Sequence, residues 1–276
     1  MQQNWSKHKA EIRKHWRMRY VQEMQRMGKP VAPDFRVEQP DDGKLNPPDA
    51  RRVARRACCL GTVALRGLAA TWDRSEQEDF LARLAGWFGL AGLDDEIEPH
   101  ELEIIQTPAG GLSPQDSLNA CWRWEGAAVL VAALGRYSLP PYDQVVDTRD
   151  CGAAAGVLEP RQDTDRLIET AAFSPNFDRF SYANQMLSIH WRLRQFVHNE
   201  QKPIDFVDFA KGVRWAQFDL GGVRIIENDL AIGATPISRA SLDAISTTMS
   251  ITSERHTAAN WLIGWDPTYT EVEIPT

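Results

Sequence analysis

Residues Gly126 to Leu134 read Gly-Ala-Ala-Val-Leu-Val-Ala-Ala-Leu, without one polar side chain. Such a run is far shorter than the ~20 residues a membrane helix needs. A helix that is apolar all round has to be surrounded by other elements. Its flanks define its length: Ser113-Pro114 starts it with proline at the first helical position, Gln115 to Arg136 continues it, and Leu139-Pro140-Pro141 ends it. The chain is therefore expected to be mainly α, a multi-helix bundle around a buried central helix at about 115–136.

The rest of the pattern supplies partners for that helix. Asp49 caps a helix from Ala50 to about Ala70 with Val53, Ala57, Leu60, Ala64 and Leu68 on one face. Ser75, with Glu78 three residues on, opens a second helix to about Phe88. Residues 163–172 read as helical. Tyr182, Met186, Ile189, Leu193 and Phe196 place another helix over about 177–199. Phe218 to Leu220, Gly221-Gly222 and Val223 to Ile226 read as one small β-hairpin at about 217–227. Thr252 or Ser253 caps a last helix, Glu254 to Ile263, stopped by Gly264. These elements make residues 49–276 a single helical domain.

Two segments precede it. Residues 1–29 contain a basic amphipathic helix, with Ile12, Trp16, Tyr20, Met24 and Met27 at helical spacing among seven lysines and arginines. Its bland reading is a helix docked by its aromatic stripe; its sharper one is contact with a nucleic acid or an anionic membrane. Residues 30–48 carry Pro30, Pro33, Pro40, Pro47 and Pro48 and read as a linker or strap.

A net charge of −7 argues against nucleic acid as the partner of the whole molecule. Cys58, Cys59, Cys121 and Cys151 show no zinc spacing and read as reduced thiols, so no metal and no cofactor is expected. With no leader-like start and no membrane span in the pattern, the protein is expected to be cytoplasmic. No dinucleotide fingerprint, P-loop, nucleophile elbow or HExxH motif is present.

Some of these residues carry a resemblance. Cys121-Trp122-Arg123-Trp124-Glu125-Gly126-Ala127, running on to Ala133-Leu134-Gly135 and Leu139-Pro140, resembles the Trp-Arg-x-Glu-Ala signature of a bacterial family. That family is domain of unknown function 4272. Ser253-Glu254-Arg255-His256 with Ala259-Asn260-Trp261-Leu262 is similar to its C-terminal element, and His190-Trp191 to a third block. Gly28-Lys29-Pro30 and Val53 to Ala57 resemble its N-terminal part. One departure is Gly126, where the family pattern has alanine, a substitution that points to a close helix crossing. The resemblance implies a fold and a soluble bacterial protein, and implies no activity.

Within these motifs lies a polar network: Arg123, Glu125, His190, Glu254, Arg255, His256 and Asn260. Arg123 and Glu125 are two apart, point to different faces and cannot pair with each other. Crossed pairs are expected instead, Arg123 with Glu254 and Glu125 with Arg255, as register-fixing ion pairs or as the wall of a ligand pocket. Separately, Asp94, Asp95, Glu96, Glu98, Glu101 and Glu103 form an acidic run that reads as a solvated face or a surface for a basic protein partner. The leading expectation is a non-catalytic protein-binding role, such as a toxin-neutralising immunity protein or a chaperone-like partner. A hydrolase working through Glu125, His190 and His256 is the alternative, and nucleic-acid contact through the N-terminal helix a third. Oligomeric state is not legible.

Overall fold

In a computed structural model of the chain, residues 45–199 and 201–274 are described. The basic N-terminal helix, most of the proline-rich strap and the Gly28-Lys29-Pro30 block lie outside them. Nine α-helices and a three-stranded sheet are present among the described residues. They are α1 (Ala50–Ala69), α2 (Arg74–Ala91), α3 (Pro99–Gln106), α4 (Pro114–Ala133), α5 (Thr148–Ala155), α6 (Arg161–Glu169), α7 (Arg179–His198), α8 (Phe206–Gly212) and α9 (Leu242–Leu262). The fold is mainly α, and none of these helices is long and apolar enough to cross a membrane.

Helix α4 is the expected central helix, but it shares the centre with α1, its most extensive partner. Small residues make that approach possible. A Cβ on Gly67 would stand 2.7 Å from both Ala120 Cβ and Ser117 O, and one on Gly61 2.7 Å from Val157. A first apolar cluster forms around α1, α4 and α5. A second is built on α7, α8 and the sheet, where Trp191 stacks on Phe209 with ring centroids 4.2 Å apart. Helix α9 sends Ala258, Trp261 and Leu262 into the first and Ile245, Ala259 and Ile263 into the second, so it joins them.

Two elements depart from the sequence expectation. The hairpin turn is not at Gly221-Gly222. The strands β1 (Ile225–Ile226), β2 (Asp229–Ile232) and β3 (Thr235–Pro236) pair antiparallel in that order, and the first turn is Glu227-Asn228, both left-handed at φ 55° and 62°. Upstream, residues 218–222 are held to α7 by side chains instead of a ladder, Ser188 Oγ accepting from Asp219 N at 2.9 Å. The last helix also begins early, at Leu242 instead of Glu254, capped by Ser241, whose side chain accepts from Ala244 N. Thr252, read as a cap, is buried mid-helix, and its hydroxyl donates back to Thr248 O at 2.7 Å.

The end of the strap, residues 45–48, is tied down. Asn46 N donates to Gly264 O, and Gly264, at φ 88°, has strap backbone against the position its Cβ would take. Only glycine meets both demands there.

Candidate functional site

The crossed ion pairs join α4 to α9, and their two halves differ. Arg255 is 1% exposed and Glu125 2%. Arg255 Nε donates to Glu125 Oε2 at 2.8 Å, and its remaining nitrogens donate to the carbonyls of Pro140, Pro141 and Gln144. Glu125 Oε1 accepts from Val146 N at 3.0 Å. Burial pushes the Glu125 carboxyl upward against the opposing pull of Arg255. This pair is sealed and fully occupied, pinning the loop after α4 beneath α9.

Arg123 and Glu254 meet at 3.0 Å but retain 24% and 19% side-chain exposure. Burial works against the Arg123 charge, and Glu254, together with Tyr269 and Glu101, more than offsets it, so the guanidinium pKa is raised. Behind them Tyr269 is fully buried, with Arg56 and Arg123 5.1 Å and 5.9 Å from its ring centre. Its hydroxyl occupies the place of a Gly126 side chain, since a Cβ there would overlap Oη. The close contact marked by Gly126 is thus with the C-terminal segment, while Leu60 of the crossing helix stays at 3.4 Å.

His190 and His256 face each other with Nδ1 atoms 3.2 Å apart and rings at 82°. Burial, with the charges of His256 and Arg194, drives the His190 pKa well down; burial alone takes His256 to about 3. Both are neutral imidazoles. Asn260 is buried nearby in sequence but serves the C-terminal segment, donating to Glu273 O at 3.4 Å.

Next to this network lies a groove of about 560 Å³. Three helix faces line it: Asp116, Asn119, Ala120 and Arg123 on α4, His190, Arg194 and His198 on α7, and Met249, Ser250, Ser253 and Glu254 on α9. Each set follows helical spacing, and α9 packs against both other helices, so it forms the floor between two walls. Trp122 and, from α3, His100 and Ile104 complete the α4 side. Of the seven network residues, Arg123, His190 and Glu254 reach the groove; Glu125, Arg255, His256 and Asn260 do not. The hydrolase alternative therefore keeps one of its three residues at the groove, His190. The four thiols are not activated either: burial carries Cys58 and Cys151 to about 12 and Cys59 upward, and partial burial raises Cys121.

The acidic run divides in the structure. Glu101, 1% exposed, pairs with the buried Arg56, and Glu96 accepts from Arg52 at 3.0 Å. Glu98 accepts from Tyr269 N at 2.6 Å and from Thr270 N at 3.1 Å, capping the C-terminal turn, while Asp95 pairs with Arg55. Only Asp94 and Glu103 of the six are left at the exposed surface without an arginine partner among the described residues. Glu96, Glu98 and Glu101 thus neutralise α1 and fix the C-terminal segment, while Asp94, Asp95 and Glu103 are exposed.

Several site residues escaped sequence reading. Arg56 and Arg192 are both fully buried, Arg192 bidentate to Asp229 at 2.6 Å, and the sequence reading assigned neither a role. His190, Arg194 and His198, spaced i, i+4, i+8, carried a readable signal as residues of one helix face.

Residues 17–215 match the family model described as domain of unknown function (DUF4272). Arg123, Glu125 and His190 lie inside that span, and Glu254, Arg255 and His256 beyond it. No curated protein and no solved structure matches the chain.

Proposed function

The chain belongs to the family of domain of unknown function 4272, and for this member we propose a non-catalytic protein-binding role centred on the groove between α4, α7 and α9. The observation that carries it is the groove's composition. Trp122, Met249 and Ile104 offer apolar surface beside polar groups on three separately anchored helices. Leu118 and Val197, on the two helices that form its walls, are each about half exposed. An aromatic anchor within a polar rim is the usual anatomy of a binding hot spot. The adjacent ion pairs give that surface a rigid base, since Glu125 and Arg255 are wholly consumed within the fold.

The test is a pull-down from native cells with the full chain and its Trp122→Ala and Asn119→Arg variants, each checked for an unchanged unfolding curve. A partner retained by the wild type and lost from both variants supports the role. Equal recovery from all three removes it. A toxin-neutralising form of the role gains support from a secreted toxin in the adjacent reading frame.

A further inference from the structure

We infer that the groove between α4, α7 and α9 is the seat of this chain's own N-terminal helix, residues 12–27, which a partner has to displace. The inference rests on the reading above only in taking the groove as a protein-binding surface. The segment lies outside the described residues, and its sequence asks for cover. Ile12, Trp16, Tyr20, Met24 and Met27 share one face of a helix, an apolar stripe that is stable only against another surface. The family match begins at residue 17, so this segment belongs to one unit with the helices that follow. Reach is ample. Asn46 N is bonded to Gly264 O just past the end of α9, and Ser253 on the groove floor lies about 16 Å back along that helix. The chain from Met27 to Leu45 spans up to about 60 Å when extended.

The lining matches that stripe. Trp122, Ile104 and Met249 present apolar surface, and Leu118 and Val197, on the two helices that form the walls, are about half exposed. A volume of about 560 Å³ is too small to enclose a helix about 10 Å across. It suits aromatic side chains sent in from a helix lying along the rim. His190 adds a polar anchor. It is 3% exposed, its Nδ1 is turned to His256, which does not line the groove, and its Nε2 has no hydrogen-bond partner among the described residues. A tyrosine hydroxyl such as that of Tyr20 both donates and accepts, so it answers Nε2 in either tautomer.

Charge sets how the helix lies. Asp116 stands on the α4 wall, where Arg123 is answered by Glu254 at 3.0 Å. Arg194 stands on the α7 wall, where its charge acts on His190. At about 100° per residue, Arg17 and Glu23 project about 60° to either side of Tyr20. Arg17 therefore faces the α4 wall when Glu23 faces the α7 wall, and each meets the opposite sign. The same balance holds over the whole chain. Residues 5–28 hold seven lysines and arginines against two glutamates, which leaves the rest of the chain at −12.

The experiment replaces Tyr20 with the photo-crosslinker p-benzoylphenylalanine in the full chain and mixes it with an equal amount of 15N-labelled wild type. After irradiation the adducts are mapped by mass spectrometry. Adducts within the unlabelled chain, on Leu118, Trp122, Met249 or Ser253, are the expected result. Trp16→Ser should lower their yield several-fold, and so should Asn119→Arg on the exposed α4 wall. Leu90→Arg, an exposed position on α2 away from the groove lining, should leave the yield unchanged. An excess of synthetic peptide of residues 5–28 should compete the adducts away. Adducts confined to other faces, adducts on the labelled copy alone, or no adducts at all overturn the inference. Groove adducts with no partner in the pull-down uphold it and remove the protein-binding role. A partner lost from Trp122→Ala, with the adducts elsewhere, overturns the inference and keeps that role.

Discussion

From Trp124 to Ala133, α4 is buried at every position, whereas from Gln115 to Arg123 only Ser117 and Ala120 are buried. The two halves share one backbone and one packing partner, α1, and still do different things. The inner half carries a single charge, Glu125, and the fold consumes it completely. The outer half carries Asp116, Asn119 and Arg123 and leaves them facing a groove. The groove opens where neighbouring helices stop covering the helix, which its own periodicity does not announce.

The sharpest way to break this contrast is to delete one charge from each half. Glu125→Ala strands Arg255 in a sealed site and should lower the unfolding free energy by about 3–5 kcal/mol. Arg123→Ala removes a partly exposed pair and should cost about 1 kcal/mol or less. Denaturant unfolding compares them; equal losses would erase the distinction between sealed and open halves.

Acid should act on the histidines that lie between these regions. His256 has its pKa lowered by burial to about 3, against ~6.5 in the unfolded chain. Between those values the unfolded chain holds a proton that the folded one does not. Stability present at pH 7 is therefore lost as pH falls below about 6.5, by up to about 1.4 kcal/mol per pH unit. His190, lowered in the same direction, adds to the slope. Replacing His256 with Asn should flatten the dependence, and an unchanged slope in that variant would place His256 in water.

Gly126→Ala probes the sealed half by overpacking and should cost about 1–3 kcal/mol. Because the overlap is with Tyr269 Oη, the loss should largely vanish in a Tyr269→Phe background. Tyr269→Phe alone should be neutral or slightly stabilising, since that hydroxyl is buried without a partner among the described residues. Thermal unfolding of the four proteins closes the cycle. The smallest effect belongs to the open half: Asn119→Arg should change stability by less than about 0.5 kcal/mol while abolishing capture of the partner.

Much of the sealed half was legible before the structure. The apolar run 126–134 announced a surrounded helix, and Gly126 announced a close contact, though not that Tyr269 makes it. The two-residue spacing of Arg123 and Glu125 required partners from another element, and Glu254 and Arg255 are those partners. The open half was not legible, because its residues fall into three helix faces whose convergence depends on where α9 lies. Even the start of α9 was hidden, as Ser and Thr read as caps in sequence and bond back to their own helix once buried. The acidic run failed for a related reason: Glu101 looks like any surface glutamate until Arg56 is placed opposite it.

By itself the sequence determined a helix at about 115–136 that needs cover on every side along 126–134, because apolar periodicity and terminal signals are local properties of the chain. It also determined that Arg123 and Glu125 must be answered from elsewhere, because an unpaired buried charge is too costly to keep. Only the tertiary structure decided which of the two pairs is sealed and which faces a groove. Burial is a property of neighbours, and the neighbours of α4 arrive from 40 to 150 residues away in the chain, at about the distances separating it from α1, α7 and α9.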